Sequence, residues 1–359
     1  MRNSSSFINI LKTYGVISIL LGYTFKPFQG ICYAYHIPLL VFICAFLYSE
    51  EMYITNPFGY VGELFRKYWT KYVFYMILFV AFRNLFLHFG LYWQVDYYTF
   101  EESVRQMFSA LVFSCYEPFG GVMWFVLPGI IACAMMGIVV TFSDKISKLC
   151  KKWQKQIKYI LIIALTLLVA IMSSTSSIYA LSMHTSLLLL PVCIMAYFVA
   201  KMPEDSIKKH LNLFVAMFFA GLIYVLVKYT GYRVDISMNV VPLKPWYYFL
   251  VFLGIYGCMT LAKYTEKIPF VRNVMALAGK HAFSVVALCL VAFKLCDRVF
   301  ALITGEKNTA IFGVFVCAYP EKLWWLYLIM GLVLPVTFGV LMEKIKISIR
   351  KKIEKSDVI

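Results

Sequence analysis

Charge is what this sequence has least of. Asp, Glu, Lys and Arg make up 14% of the residues, where a soluble domain carries about 25%. Hydrophobic residues supply 62%, and the mean hydropathy is +0.78. A water-soluble globular enzyme is thereby excluded, and an integral membrane protein is expected. Cysteine patterning is missing as well. Most of the Cys residues fall inside apolar runs, and none forms a CxxC or a Cys/His ligand set, so no metal site is expected. The first apolar stretch lacks a small-x-small cleavage site and contains Lys12, so it is expected to stay as a membrane helix. Repeats and a separable soluble domain are absent too, and residues 1–359 read as a single integral-membrane domain.

What is present is a series of apolar runs near the length of about 20 residues that crosses a bilayer. They cover 7–24, 31–48, 72–89, 122–142, 157–174, 181–200, 211–227, 247–262, 282–303 and 324–342. The polar SSTSS turn, Ser173 to Ser177, divides the fifth from the sixth. The fold class expected is all-α: a polytopic membrane helix bundle of about ten transmembrane helices. Lys and Arg concentrate in the segments 66–71, 145–158, 201–209 and 263–280 and in the basic tail 344–359. The alternate loops hold far fewer. By the positive-inside rule both termini are cytoplasmic. The net charge of +16 is then an orientation signal, and no nucleic acid is needed to explain it.

Polar residues within the runs carry the functional signal, because charge at mid-membrane is costly and is retained for pairing or function. Lys12 and Tyr23 are eleven positions apart, which returns to within about 20° of one helix face with about 16 Å between them. A break, KPFQGIC (Lys26 to Cys32), follows, and the second run begins YAYHIPLL. The break is short, so His36 is expected near Tyr23. Lys12 has a second reading as a residue snorkelling to the headgroups, and His36 as a packed hydrogen-bonding group. Arg83 and His88 lie on the third run. Lys294, Asp297 and Arg298 lie on the ninth as an intrahelical pair or an anion site. His184 reads as structural. The loop of about 90–121 carries Asp96, Glu101, Glu102 and Glu117, with a short apolar piece, Met107 to Cys115. A re-entrant or interfacial helix is expected there, as a lid.

These residues also carry a resemblance. INILKTYGVISILLGY followed by YHIPLLVFICAFL resembles the opening of the acyltransferase family 3 of membrane O-acyltransferases. In its fucose 4-O-acetylase-like branch the pattern is IDILKGIAIILVVLGH, then FHMPLFFFISGFL. FRKYWTKY (Phe65 to Tyr72), GGVMWFVLPGI (Gly120 to Ile130), the segment with Asp235, Met238 and Asn239, and LAKYTEKIPFVRNVMALAGKHAF (Leu261 to Phe283) are similar to later family segments, in the same order. The likeness covers about 8–300. It implies an enzyme of the bacterial inner (cytoplasmic) membrane with no bound cofactor. Acyl-CoA, acetyl-CoA by default, is the donor, and a hydroxyl of a cell-surface polysaccharide or glycolipid is the acceptor. On the matched positions it implies catalytic roles for Lys12 and Tyr23, and His36, expected beside Tyr23, is the third catalytic candidate. Asn9, Arg66, Trp124 and Asp235 are implied in substrate binding, with Arg83 joining them from the third run.

The departures bear on the chemistry. Asn9 stands where the family has Asp, and Tyr23 where it has the first-helix His. Ile43, Cys44 and Ala45 replace its ISG. Of its GKNSL motif Gly279 and Lys280 remain, followed by His281, Ala282 and Phe283, and Cys289 stands where a later His is usual. A sugar hydroxyl needs a base with a pKa near neutrality. A phenol of pKa about 10 is a poor one, so the base is assigned to His36. Three readings are open. The chain is an O-acyltransferase using His36, or a catalytically impaired relative that binds or moves a glycolipid, or a polysaccharide polymerase or flippase.

Overall fold

The computed structural model describes residues 5–92, 96–175, 182–229, 234–236, 241, 244–305 and 317–356, with the side chains of 172–175, 244–245 and 352–356 left aside. Met238, Asn239 and part of the SSTSS turn lie outside the described residues. The described chain is helical, without strands, and forms a membrane helix bundle.

α1 (Ser6–Thr24) starts where the Ser5 hydroxyl accepts from the Ile8 N–H at 3.3 Å, a side-chain cap. α2 (Lys26–Phe46) follows after one extended residue, Phe25. The expected KPFQGIC turn is therefore helix, because Pro27 in the first turn presets φ for a helix start. α1 and α2 form an antiparallel hairpin. A Cβ on Gly15 would touch Leu40, and one on Gly22 would lie 3.7 Å from the Cys32 Cβ. This register puts His36 level with Ile19, one turn in from Tyr23, and Lys12 level with Ile43 and Cys44.

α3 (Glu50–Tyr53) and α4 (Pro57–Leu64) lead through a π-helical turn, Phe65–Trp69, into α5 (Thr70–His88). α6 (Phe100–Leu111) begins where the Thr99 hydroxyl accepts from the Glu102 N–H. It lies back along α5: Asn84 exchanges two 2.8 Å bonds with the Tyr98 backbone, and the Trp69 indole donates to the Leu111 carbonyl at 2.8 Å. The chain then returns through a 3-10 segment, Pro118–Phe125, into α7 (Val126–Ser147). α8 (Gln154–Thr175), α9 (Met183–Ala200), α10 (Glu204–His210), α11 (Leu213–Tyr229) and α12 (Lys244–Thr265) follow. After them come α13 (Pro269–Lys280), α14 (Ala282–Thr304) and the long α15 (Pro320–Ser356).

Among the described residues, eight helices or unbroken helical stretches are long and apolar enough to cross a membrane, and α10 with α11 makes a ninth if that pair, bent by 67°, counts as one span. The bend has a local cause. The Asn212 side chain accepts from the Phe214 N–H at 2.8 Å and caps a new helix there. α14 is helical as expected for the ninth run, yet Lys294, Asp297 and Arg298 keep it from qualifying by composition. It sits inside the bundle, where Lys294 Nζ meets Asp297 at 2.5 Å, both side chains buried. Asp297 also accepts from the Tyr327 hydroxyl and, at 3.1 Å, from the Ala318 N–H. At the periphery, α8 exposes Ile160, Ile163, Leu167 and Ile171, as a lipid-facing helix does.

One ionic node ties helix ends together near the start of α3. Glu50 accepts from Lys158 (2.7 Å), from the Tyr197 hydroxyl (2.7 Å) and from Lys201, and Lys158 also meets Asp144 at 2.8 Å. Burial pushes the Glu50 carboxyl up, but its donors Lys158, Lys201 and Tyr197 outweigh burial and bring it down to about 2.

Candidate functional site

Two cavities lie along the α1–α2 hairpin. The first is near the start of α1, has a volume of about 140 Å³, and brings together Lys12, Lys67, Lys71 and Lys280 with Cys44 and Tyr68. Each lysine arrives for a local reason. Lys12 is on α1 and donates to Asn9 Oδ1 at 3.1 Å. Lys67 and Lys71 are one turn apart across the π-turn, a feature frequent at functional sites. Lys280 ends α13, which crosses α1 closely because Gly279 has no side chain. A Cβ there would overlap the Asn9 carbonyl oxygen. Lys280 also meets Glu343 of α15 at 2.7 Å. Such a set favours an anion.

The second cavity, about 60 Å³, lies toward the opposite end and is lined by Tyr23, Tyr33, His36, Trp124 and Asp235. His36 Nδ1 is 2.6 Å from the Cys32 carbonyl oxygen, one turn back. A carbonyl only accepts, so Nδ1 carries the proton and Nε2 keeps its lone pair. That is the tautomer of a general base. The Tyr33 ring lies 5.3 Å from the imidazole between centroids. Val234 and Ile236, both buried, anchor the short segment that presents Asp235.

Successive turns of the same elements separate the cavities. α1 gives Val16 to the first and Ile19 to the second, and α2 gives Leu40 and Ile37. The segment entering α7 gives Phe125 and Val126 to the first and Val122 and Trp124 to the second. From the hairpin register, Lys12 and His36 are about 10 Å apart along the axis. The divide is apolar and about one helical turn thick.

Of the residues expected in the site, Tyr23, His36, Trp124 and Asp235 meet in one cavity, and Lys12 lines the other, with Asn9 hydrogen-bonded to it from outside the lining. Two stand elsewhere. Arg66 is exposed on the π-turn, which turns Lys67 and Tyr68 inward instead. Arg83 lines neither cavity. Its guanidinium donates to Glu117 (3.2 Å) and to the Asp96 carbonyl (3.0 Å) and lies 3.8 Å from the Tyr98 ring centroid. With the Tyr92 hydroxyl on Glu117 at 3.2 Å, this pins the α5–α6 connection. Lys280 was matched to a family motif, but neither it nor Lys67 and Lys71 was assigned to the site from the sequence. The i,i+4 spacing of Lys67 and Lys71 was visible in FRKYWTKY, but the π-turn that aims them was not.

No protein-family model, curated protein or solved structure matches the chain.

Proposed function

We propose that the chain is a membrane O-acyltransferase of the acyltransferase 3 kind. It moves an acyl group, acetyl by default, from cytoplasmic acyl-CoA to a hydroxyl of a cell-surface polysaccharide or lipid-linked sugar. In this reading the bundle has ten spans with both termini cytoplasmic, in a bacterial cytoplasmic membrane. The observation that carries it is the pairing of a lysine cavity with a histidine cavity on consecutive turns of one hairpin.

Lys12, Lys67, Lys71 and Lys280 hold the phosphates of the donor, with Asn9 orienting Lys12. The thioester is directed between Val16 and Leu40 toward His36. The acceptor sugar stacks on Trp124 and hydrogen-bonds Asp235. His36 Nε2 takes the proton of the acceptor hydroxyl as its oxygen attacks the thioester carbonyl. The carbon–sulfur bond breaks, and the coenzyme leaves as a thiolate that recovers the proton. The Nδ1–H bond to the Cys32 carbonyl keeps the ring in register and stabilises the imidazolium formed in between. Tyr23 donates a hydrogen bond to the developing oxyanion, the task left to a group too weakly basic to take the proton.

Deleting the gene should remove the O-acetyl proton signals from the surface glycan while its chain length stays the same. A glycan that keeps every acetyl group but shortens or vanishes would make the protein a polymerase or flippase instead.

A further inference from the structure

A third cavity, of about 620 Å³, opens beside the lysine cavity between α5 and α15, over the junction of α13 and α14. It shares Lys71, Lys280 and Phe283 with its neighbour and adds Lys346. Its floor is held shut. Tyr75 Oη donates to Ser284 Oγ at 2.7 Å, Lys280 meets Glu343 at 2.7 Å, and His281 Nε2 lies 3.5 Å from the same carboxylate. Gly339 lets α15 come in over His281, which a Cβ would crowd. The gap is lined by the exposed Phe74, Ile345 and Ile349.

The walls are graded with depth. On α5, Lys71 lies toward the bundle end and Phe74 a turn deeper. On α15, Lys346 lies toward the same end and Met342 a turn deeper. Lys71, Lys280 and Lys346 gather with one carboxylate toward that end, and Phe74 and Met342 lie toward the bilayer centre. A ligand matching that gradient has a phosphate at one end and hydrocarbon below it. A nucleotide, polar along its length, does not. We propose that this groove is a binding site for an anionic phospholipid of the leaflet at that end. The headgroup phosphate lies among Lys71, Lys280 and Lys346, and the chains pass over Phe74 and Met342. The site does not depend on the transfer reaction. Its link to that reaction is that the lipid touches two of the lysines that line the neighbouring cavity.

The test uses the full chain in phosphatidylcholine vesicles doped with phosphatidylglycerol, with native mass spectrometry counting the phosphatidylglycerol retained. One retained lipid is expected, with affinity about fivefold lower in Lys346→Gln. Lys351→Gln, further along the same helix and outside the groove, is expected to leave it unchanged. Unaltered thermal melting of both variants in detergent would show that the fold is intact. Equal losses in the two variants would reduce the effect to general surface charge and overturn the proposal. So would full retention in Lys346→Gln.

Discussion

At the scale of single residues, the account rests on a division of labour between Tyr23 and His36, which line one cavity from the two arms of a hairpin. The imidazole has its Nδ1 committed to a backbone carbonyl, so only Nε2 is available to take a proton. In the proposed mechanism the phenol serves as a donor. Tyr23→Phe keeps the ring and loses the hydroxyl, and acetyl transfer should fall about 100- to 1,000-fold if one hydrogen bond to the oxyanion is lost. Transfer assayed from acetyl-CoA in membrane vesicles checks this, and a Phe variant of full activity would take Tyr23 out of the mechanism. Tyr23→His is the complementary variant. A gain in activity would mean that the hairpin retains a seat for the base on α1 and that His36 is not the base. The Lys12–Tyr23 stripe and the place of His36 were legible in the sequence because helical spacing and a short connection determine both. Arg66 and Arg83 line neither cavity, and neither the change of face at a π-turn nor an Arg83–Glu117–Tyr98 cluster is written in hydropathy.

At the scale of elements, two contacts hold helices of the bundle together. One is the crossing of α13 over α1 at Gly279. Gly279→Ala forces the two backbones apart, and overpacking of this kind costs about 1–3 kcal/mol. The variant should melt several degrees lower in detergent and lose donor binding. An unchanged melting temperature with normal donor binding would mean that the crossing is not tight. The other contact is the Glu50 node joining α3 to α8 and α9. Its carboxyl is brought well below the ordinary 4.5, to about 2. The stability it contributes is therefore present in full above about pH 4.5 and is lost as pH falls toward 2. Melting temperature should drop across that window in the wild type and drop less in Glu50→Gln, which is already weakened at neutral pH. Identical acid profiles would remove the node from the account. The apolar runs located every long helix in the sequence, since twenty-residue spans announce themselves. What composition hid was the break at Asn212 and the interior position of α14. There the charges of Lys294 and Asp297 are satisfied by each other and by Tyr327.

At the scale of the whole molecule, the bundle presents cations at one end of the α1–α2 hairpin and a histidine cavity about 10 Å along it, divided by apolar side chains. A membrane enzyme that passes an acyl group from one side to the other needs that division, because an open aqueous path would leak ions and hydrolyse the donor. Complementation of the deletion strain tests the claim most directly, read as O-acetyl proton signals in the surface glycan. The wild-type gene should restore them, and His36→Ala, expressed to the same level in the membrane, should leave them at or near the baseline of the deletion. Restoration of the signals by His36→Ala would contradict the account.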